Sequence, residues 1–265
     1  MGLYQNRIVV KVGTSTLTNE MGKSDLRSFD RLVCVLSDIQ NMGFEVILVS
    51  SGAIAVGASK LNMKTRPTSM KLKQAAAAVG QCSIMYLYDK FFGDYDKTIA
   101  QILLSAEDIE HEEKKENLTN TFDALLEMGI IPVVNENDSV SYTEIESEER
   151  LFGDNDMLSA VVAILCRAKR LVILSDIEGF YDSDPRLHPN AKLISRIEQI
   201  DDSVYKLAGG AGSRRGTGGM KTKLQAAQLA MSQGIDTIIT NGKKPDAIYE
   251  IIKAGSVGTL FAGKH

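Results

Sequence analysis

Cysteine and histidine are scarce in this sequence, and their scarcity excludes several classes of protein. The 265 residues include three cysteines, Cys34, Cys82 and Cys166, and contain no C-x-x-C pair. An odd, scattered set of this kind argues against a disulfide framework and for a reducing compartment, the cytoplasm. Because the chain has only three histidines and no H-E-x-x-H motif, no zinc site is expected.

Long apolar runs and an excess of basic residues are also missing. No run of about 18 apolar residues is present, so we expect no membrane-spanning segment. The 34 Asp and Glu residues outnumber the 30 Lys and Arg residues, which gives a net charge of −4. A dedicated nucleic-acid-binding protein would carry a basic excess. The sequence therefore predicts neither a membrane nor a nucleic acid as a partner.

Three motifs of nucleotide-binding proteins and hydrolases are absent as well. The chain has no G-x-x-x-x-G-K-[ST] phosphate loop, no G-x-G-x-x-G dinucleotide fingerprint and no G-x-S-x-G nucleophile elbow. A nucleotide site in this protein must therefore be built from other loops.

The sequence does contain a regular alternation of apolar segments. Short apolar or β-branched runs predict strands at residues 8–12, 44–49, 98–104, 130–135, 171–175 and 237–240, and a last strand near residue 260. Helical periodicity predicts helices at residues 25–42, 53–60, 70–92, 118–128, 157–168 and 220–233, and a last helix that ends at residue 253. This alternation predicts a mostly parallel sheet with helices on both faces. The polar stretches 105–116, 141–150 and 208–219 are predicted to be exposed loops.

Ligands of such sheets bind beyond the carboxyl ends of the strands, so the strand ends are the places to search. The first strand ends with Lys11, and Gly13, Thr14 and Ser15 follow it. A lysine within an apolar strand is costly unless its ammonium group meets an anion. The segment is a candidate phosphate cradle, and a lysine that faces solvent from an edge strand fits equally well.

The second strand ends in small residues, Ser50, Ser51 and Gly52, directly before a predicted helix. Small residues at this position leave backbone N–H groups for a carboxylate or a phosphate. A tight turn that requires glycine explains the same residues more simply.

Carboxylates and amides cluster in two further segments. Glu136, Asn137 and Asp138 follow the predicted strand at 130–135, and a second group precedes the predicted helix at 157–168. The second group consists of Asp154, Asn155 and Asp156. Together the two groups suit an amine, a metal or another positive charge. Capping of the helix by Asp154 or Asn155 would explain one residue but not both groups.

Two segments near the end of the chain suit a nucleotide. Ser175 and Asp176 end a predicted strand, and the loop after them fits a nucleobase, a ribose or a plain connection. Residues 214–223 combine arginines, glycines, Thr217, Lys221 and Lys223 before a predicted helix. Glycines and cations at the N-terminus of a helix are typical of polyphosphate binding.

Two lysine-bearing loops with an acidic cluster between them are what phosphoryl transfer requires: cations around the phosphoryl group and a holder for the acceptor. In order along the chain, these motifs resemble those of the glutamate 5-kinase family of the amino-acid kinase superfamily. The resemblance covers nearly the whole chain, including residues 9–15, 49–54, 73–81, 134–138, 152–160, 175–185 and 216–223.

The resemblance implies a three-layer αβα sandwich with a mainly parallel central sheet. It implies a single amino-acid kinase domain at residues 1–265, which binds the amino acid with about residues 1–168 and the nucleotide with about residues 169–265. The implied reaction is ATP-dependent, uses Mg²⁺, and phosphorylates the γ-carboxylate of L-glutamate to L-glutamyl 5-phosphate, the first step of proline biosynthesis. No residues are assigned to a metal.

The resemblance also assigns roles to individual residues. It implies catalytic roles for Lys11, Lys223 and Asp156. It implies that the substrate binds at Ser51, Gly52, Asp138, Asp154 and Asn155. It implies that the nucleotide binds at Lys11, Gly13, Thr14, Ser175, Asp176, Thr217, Gly218, Gly219, Met220, Lys221, Thr222 and Lys223. We expect Asp138 to hold the substrate ammonium, Asn155 and the Ser51 region to face its carboxylate side, and Asp156 to orient the lysines.

The resemblance further implies a homo-oligomer, either dimer or tetramer, feedback inhibition by proline, and a transient contact with glutamyl-phosphate reductase. Many members of the family carry a C-terminal domain that resembles RNA-modification modules, and this sequence resembles the short form without it. One alternative is another kinase of the superfamily that acts on N-acetylglutamate, aspartate or a nucleoside monophosphate. The others are a non-catalytic amino-acid or nucleotide sensor on the same fold and an RNA-binding protein.

Overall fold

The computed structural model describes residues 6–19, 22–140, 155–208 and 219–264. Its strands are β1 (Arg7–Val12), β2 (Glu45–Val49), β3 (Ile99–Leu104), β4 (Ile131–Glu136), β5 (Arg170–Ser175), β6 (Arg196–Ile197), β7 (Asp236–Asn241) and β8 (Thr259–Phe261). Its helices are α1 (Thr14–Leu17), α2 (Leu26–Asn41), α3 (Ala53–Lys60), α4 (Met70–Gly93), α5 (Ala106–Glu110), α6 (Glu112–Glu127), α7 (Asn155–Leu165), α8 (Asp202–Ala208), α9 (Met220–Ser232) and α10 (Ala247–Ile252). Every predicted strand and helix has a counterpart, and α3 has the predicted bounds.

One sheet contains the eight strands of the described residues, in the order β3-β4-β2-β1-β5-β7-β8-β6. Its strand pairs are parallel except for the antiparallel pair of β7 with β8. Since β1 lies between β2 and β5, the chain extends the sheet first on one side of β1 and then on the other. The carboxyl ends of β1 and β5 therefore flank the point where the strand order reverses, which is where parallel sheets bind ligands.

Helices cover both faces of the sheet because its strands are apolar on both sides. In β1, the side chains of Ile8 and Val10 pack into a core with those of α2 and α4. The Val9 side chain lies on the other face, in a core that includes residues of α7 and α9. The two cores on either side of the sheet confirm the predicted three-layer αβα sandwich with a mainly parallel sheet.

The prediction that residues 105–116 form an exposed loop is wrong. This polar stretch contains α5 and the start of α6. Ser105 and Asp108 form a capping box at the start of α5, in which the Ser105 backbone N–H donates to Asp108 Oδ2 over 2.8 Å. Acidic residues also occupy the first turns of both helices, where the helix dipole stabilises negative charge. The acidic residues therefore stabilise the starts of helices α5 and α6. Three further elements, α1, α8 and β6, were not predicted from periodicity.

Helices α3 and α4 pack backbone against backbone through two glycines. A Cβ atom placed on Gly57 would lie 1.7 Å from the Ala76 carbonyl oxygen, and one placed on Gly80 would lie 1.8 Å from the Ala53 carbonyl oxygen. No side chain fits at either position without moving the helices apart. The contact fixes the middle of α4 against the turn between β2 and α3.

The buried Arg7 side chain joins three other elements at the end of the sheet where β1 begins. Its Nε lies 2.7 Å from Glu45 Oε2, and its Nη1 lies 2.9 Å from Asp123 Oδ1 and 2.6 Å from the Cys166 carbonyl oxygen. Arg7 is only 3% exposed. The network ties β1 to β2, α6 and the end of α7.

We expect Arg7→Met to lower the free energy of unfolding by about 3 kcal/mol, because it leaves the Glu45 carboxylate and the Cys166 carbonyl oxygen without their buried donor, while Asp123 keeps its pair with Arg167. Urea denaturation followed by circular dichroism would measure this loss. The matched control is Arg31→Met, which breaks a pair with Asp246 whose side chains are 57% and 52% exposed. The control should cost less than about 1 kcal/mol. Equal losses in the two variants would contradict a structural role for the Arg7 network.

Candidate active site

Two buried lysines share one buried carboxylate beyond the carboxyl ends of the central strands. Lys11 Nζ lies 2.6 Å from Asp156 Oδ1, and Lys223 Nζ lies 3.0 Å from Asp156 Oδ2. The hydroxyl of Thr222 lies 3.0 Å from the same Oδ2. Asp156 is 0% exposed, and Lys11 and Lys223 are 5% and 8% exposed. The structure thus brings together the three residues predicted to be catalytic.

The periodicity of β1 and the starts of two helices explain why these residues meet. Side chains alternate along a strand, so Lys11 lies on the same face as Val9, the face that α7 and α9 cover. Asp156 is the second residue of α7, and Lys223 lies in the first turns of α9. All three side chains therefore meet at the carboxyl ends of the strands, on the face of the sheet that α7 and α9 cover.

The group carries one net positive charge. Burial alone would raise the pKa of the Asp156 carboxyl, but the Lys11 and Lys223 ammonium groups hold that pKa well below its ordinary value. A carboxylate that stays ionised cannot act as a proton carrier near neutral pH. The arrangement instead holds two ammonium groups close together, where they can stabilise an anion with several negative oxygens.

The ends of β1 and β2 are joined by a pair of hydroxyl groups. Ser51 Oγ donates to the Val12 carbonyl oxygen over 3.0 Å, and Thr14 Oγ1 lies 3.3 Å from Ser51 Oγ. Gly52 has a φ of +98°, so the turn into α3 requires glycine, as the simpler interpretation held. Gly13 has a φ of −85°, and a Cβ there would make only ordinary contacts, one of them 3.7 Å from Lys11 Nζ. Gly13 therefore needs no special backbone freedom.

A chain of amides connects the lysine cluster to the ends of β2 and β4. Asn155 Nδ2 donates to the Ser50 carbonyl oxygen and, over 2.8 Å, to Asn135 Oδ1. Asn135 Nδ2 donates to Gln81 Oε1 over 2.9 Å. Asn155 is the first residue of α7, and its side chain bridges to the ends of two strands. Asn155 and Asp156 are consecutive, so α7 begins where the two halves of the site meet.

An acidic cavity opens beside this amide chain. It has a volume of about 450 Å³ and is lined by the end of β4, the middle of α4 and the start of α3. The residues Glu136 and Asp138 supply its carboxylates. Burial, together with the nearby Glu136 carboxylate, raises the pKa of Asp138 to about 6. The cavity is therefore suited to a ligand that brings a positive charge.

The predicted nucleotide residues that the structure describes lie at three places: Lys11, Gly13 and Thr14 at the end of β1, Ser175 and Asp176 at the end of β5, and a third group at the start of α9. Ser175 is buried, and its Oγ donates to Asp176 Oδ1 over 3.3 Å. Gly219 caps α9, and Met220, Lys221, Thr222 and Lys223 form its first turns. At the carboxyl ends of β5 and β7, Asn241 Nδ2 and Lys244 Nζ both donate to Glu178 Oε1, over 3.0 and 2.8 Å.

Some predicted residues lie outside the described parts of the chain. These are Asp154, Thr217 and Gly218. The polar stretch 141–150 and the glycines and arginines that precede Gly219 lie outside them too.

Two polar residues of the site had no predicted role of their own. Asn135 and Gln81 are the middle and the end of the amide chain. The position of Asn135 at the end of an apolar strand is a signal that could have identified it. Gln81 lies within a helix that is centred on an alanine run, and only the packing of α4 on the sheet reveals its contact.

Groups that could bind a metal, and helices that could cross a membrane, were sought in the described ranges. Those ranges contain no group of three or more His, Cys, Asp or Glu residues arranged to hold a metal ion. No helix in the same ranges has the length and hydropathy required to cross a bilayer.

Comparison with known proteins places the chain in a family. The family model described as "Amino acid kinase family" matches residues 6–241. A protein named glutamate 5-kinase from Clostridium perfringens is 54% identical over 258 residues, which are 97% of this chain and 96% of that protein. The chain belongs to the amino acid kinase family, and within it to the glutamate 5-kinases. Another glutamate 5-kinase, from Enterococcus faecalis, is 48% identical over 96% of this chain and 94% of its own length.

Solved structures agree with this family at the level of the fold. A carbamate kinase from Giardia lamblia bound to AMP-PNP superposes with a TM-score of 0.69 at 14% identity, over 97% of this chain and 98% of that one. A UMP kinase from Bacillus anthracis superposes with a TM-score of 0.66 at 13% identity, over 99% and 98% of the two chains. At these identities the similarity concerns the amino acid kinase fold alone.

Proposed function

We propose that this protein transfers the γ-phosphoryl group of ATP to the γ-carboxylate of L-glutamate, producing ADP and L-glutamyl 5-phosphate. This reaction is the first step of proline biosynthesis. The observation that carries the proposal is the buried Lys11–Asp156–Lys223 cluster at the start of α7, which the amide chain from Asn155 joins to an acidic cavity. About half of the residues are identical to those of proteins named glutamate 5-kinase over nearly the full chain.

The chemistry fits a site that has no general base. A glutamate γ-carboxylate has a pKa of about 4.3, so it is already ionised at neutral pH and can attack phosphorus directly. The barrier comes from bringing one anion to another. Lys11 and Lys223 lower that barrier by neutralising the phosphoryl oxygens and the leaving β-phosphate. Asp156 keeps both ammonium groups in place throughout the reaction.

The acidic cavity would hold the other end of the amino acid. Asp138 would accept a hydrogen bond from the substrate ammonium group, which is the role that the family resemblance implies. The amide chain changes the predicted role of Asn155, because both Nδ2 hydrogens already donate to protein oxygens. Only Asn155 Oδ1 is left to contact the substrate. This oxygen is an acceptor, so it suits the substrate ammonium group and does not suit the substrate carboxylate. We therefore place Asn155 on the ammonium side of the substrate.

The order of the elements divides the site into two parts. The amino acid would bind to the part that ends at about residue 168, just after α7, and the nucleotide would bind at the end of β5 and the start of α9. Ser175, Asp176 and residues 217–223 would contact ATP. Lys11, Gly13 and Thr14 would meet its phosphates from the end of β1.

Mg²⁺ would enter with ATP. Both oxygens of Asp156 already contact lysines, and the described ranges contain no cluster of metal-binding side chains. The residues present thus fit a Mg²⁺ ion held mainly by the phosphates of the nucleotide, which is common for this ion. Its charge would add to that of the lysines.

The remaining predictions from the sequence stay predictions. They are a homo-oligomer, feedback inhibition by proline, a cytoplasmic location, and transfer of the product to glutamyl-phosphate reductase. The last is attractive because acyl phosphates are labile in water.

A hydroxylamine-trapping assay with Mg-ATP tests the proposed function. Hydroxylamine converts an acyl phosphate to a coloured hydroxamate, so signal with L-glutamate, but not with N-acetyl-L-glutamate or L-aspartate, is the expected result. Signal with another acceptor would keep the reaction type and overturn the substrate. Absence of signal with all three, in protein that still binds ATP, would favour a sensor or a kinase with a non-carboxylate acceptor.

The raised pKa of Asp138 predicts a pH dependence for glutamate binding. Below pH 6 the free protein carries a neutral Asp138, so kcat/KM for glutamate should fall about tenfold per pH unit. Bound substrate ammonium favours the ionised form, so kcat should change much less over the same range. The profile from pH 5 to 8 should be compared with that of Asp138→Asn. An inflection that persists unchanged in that variant would assign the titration to another group, such as ATP.

A further inference from the structure

The amide chain ends on a glutamine that forms part of the wall of the acidic cavity. Gln81 Oε1 accepts from Asn135 Nδ2, and Gln81 lines the cavity together with Glu136 and Asp138. Among residues 6–19, 22–140, 155–208 and 219–264, no hydrogen-bond acceptor pairs with Gln81 Nε2. The amide nitrogen is therefore a donor that the described parts of the protein leave unused.

The direction of the chain is fixed at its other end by a backbone group. The Ser50 carbonyl oxygen can only accept, so the atom of Asn155 that meets it must be the nitrogen. The second hydrogen of that nitrogen then requires the oxygen of Asn135, and the nitrogen of Asn135 requires the oxygen of Gln81. Each link determines the next, and Gln81 must direct its NH₂ group away from the chain.

A free α-amino acid carries its ammonium and its carboxylate on one carbon atom. A site for it needs an acceptor and a donor side by side. Asp138 supplies the acceptor, but its negative charge would repel the carboxylate unless a donor offsets it. Gln81 is the residue on the opposite wall, on α4, whose donor direction is already set.

We propose that Gln81 Nε2 binds the α-carboxylate of the amino-acid substrate and so determines specificity for α-amino acids. This inference rests on the proposed function, because it requires a free amino acid in the cavity. The γ-carboxylate must extend the other way, past Asn155, to reach Lys11 and Lys223. A ligand of this kind would span the two halves of the site that meet at the start of α7.

The position of Gln81 is also rigid. The preceding residue, Gly80, packs against the Ala53 carbonyl at a distance that admits no side chain. Helix α4 therefore cannot shift easily relative to the turn that carries Ser51 and Gly52. A donor held in advance by packing and by a hydrogen bond loses little entropy when it binds its ligand.

Two variants of Gln81 separate donation to the substrate from support of Asn135. Gln81→Glu keeps an acceptor for Asn135 Nδ2 but removes the donor and adds a negative charge. Gln81→Met removes both functions at similar size. If Gln81 donates to the carboxylate, the KM for glutamate should rise about 10-fold or more in Gln81→Met and further in Gln81→Glu, with kcat changed less than about threefold. The KM for ATP should not change.

A matched glutamine provides the control. Gln40 is also half-buried and also makes one hydrogen bond, to the Gly129 carbonyl oxygen over 2.8 Å, but it lies on α2 outside the cavity. Gln40→Met should leave the KM for glutamate unchanged.

A glutamate KM close to wild type in Gln81→Glu, with a raised KM in Gln81→Met, would overturn the proposal, because only support of Asn135 would then matter. Wild-type KM values in both variants would overturn it as well. Either result, in an enzyme whose wild-type form makes glutamyl hydroxamate, leaves the proposed function intact. Failure of the wild-type enzyme to make the hydroxamate would instead overturn the function itself.

Discussion

Replacing Lys223 with methionine is expected to lower kcat about 10²–10³-fold while the KM for glutamate changes less than about threefold. The negative charge on the phosphoryl oxygens moves towards the leaving β-phosphate in the transition state, so a fixed cation stabilises that state more than the bound substrates. Lys223 is 8% exposed, and its ammonium group therefore acts in a medium where charge is poorly screened. Initial-rate kinetics with varied glutamate and ATP would measure both constants.

The variant should remain folded, so that the loss can be read as a loss of catalysis. Asp156 keeps its contacts with Lys11 and with the Thr222 hydroxyl after the change. Methionine has nearly the length of lysine and fills the same space. Circular dichroism and the Tm would confirm that the variant is folded before its kinetics are interpreted.

Two further variants calibrate this result. Lys253→Met removes an exposed lysine at the end of α10, which has only a long contact of 4.0 Å with Glu250, and should leave kcat unchanged. Lys223→Arg keeps the charge but spreads it over a planar group, and we expect it to recover only part of the activity. A rise in KM alone for Lys223→Met, with kcat intact, would contradict the catalytic role and leave Lys223 as a binding residue.

Much of the site could be predicted because strand ends and strand periodicity carry the information. Lys11 interrupts an apolar strand, and alternation assigns it to the face of Val9. The acidic and amide residues around Asp138 and Asn155 follow or precede regular elements whose positions the pattern indicates. These signals depend only on neighbouring residues, so they can be recognised from the sequence alone.

The pairing of side chains could not be predicted in the same way. That Asp156 joins Lys11 to Lys223 depends on how α7 and α9 lie next to each other on one face of the sheet. The orientation of Asn155 depends on a backbone carbonyl at the end of another strand. Gln81 is separated from Asn135 by 54 positions in the chain, and only tertiary packing brings them together.

Replacing Gly80 with alanine is expected to have the largest effect on stability among single changes near the site. The new Cβ would lie 1.8 Å from the Ala53 carbonyl oxygen and 2.7 Å from the Gly57 amide nitrogen. Both are backbone atoms of α3, so no side-chain rotation can relieve the clash, and the two helices must move apart. Overpacking of this kind costs about 3 kcal/mol or more, which for a chain of this size lowers the Tm by about 6–12 °C.

The same helix provides the control for this change. Gly93 is the last residue of α4, and a Cβ placed on it would meet no atom within 4 Å. Gly93→Ala should therefore stabilise the protein slightly, by up to about 1 kcal/mol, because alanine loses less backbone entropy in a helix. Thermal unfolding of both variants tests whether close packing, and not loss of glycine as such, determines the outcome.

The Gly80 variant also connects the packing of α4 to the proposed recognition of the substrate. A displaced α4 would carry Gln81 away from Asn135 and widen the acidic cavity. At a temperature where the variant is still folded, we therefore expect its KM for glutamate to rise while its KM for ATP stays near the wild-type value. Because Lys11, Asp156 and Lys223 lie on the other face of the sheet from α4, kcat should fall far less than in Lys223→Met. Parallel losses in kcat and in both KM values would show that α4 supports the whole site and not the amino-acid cavity in particular.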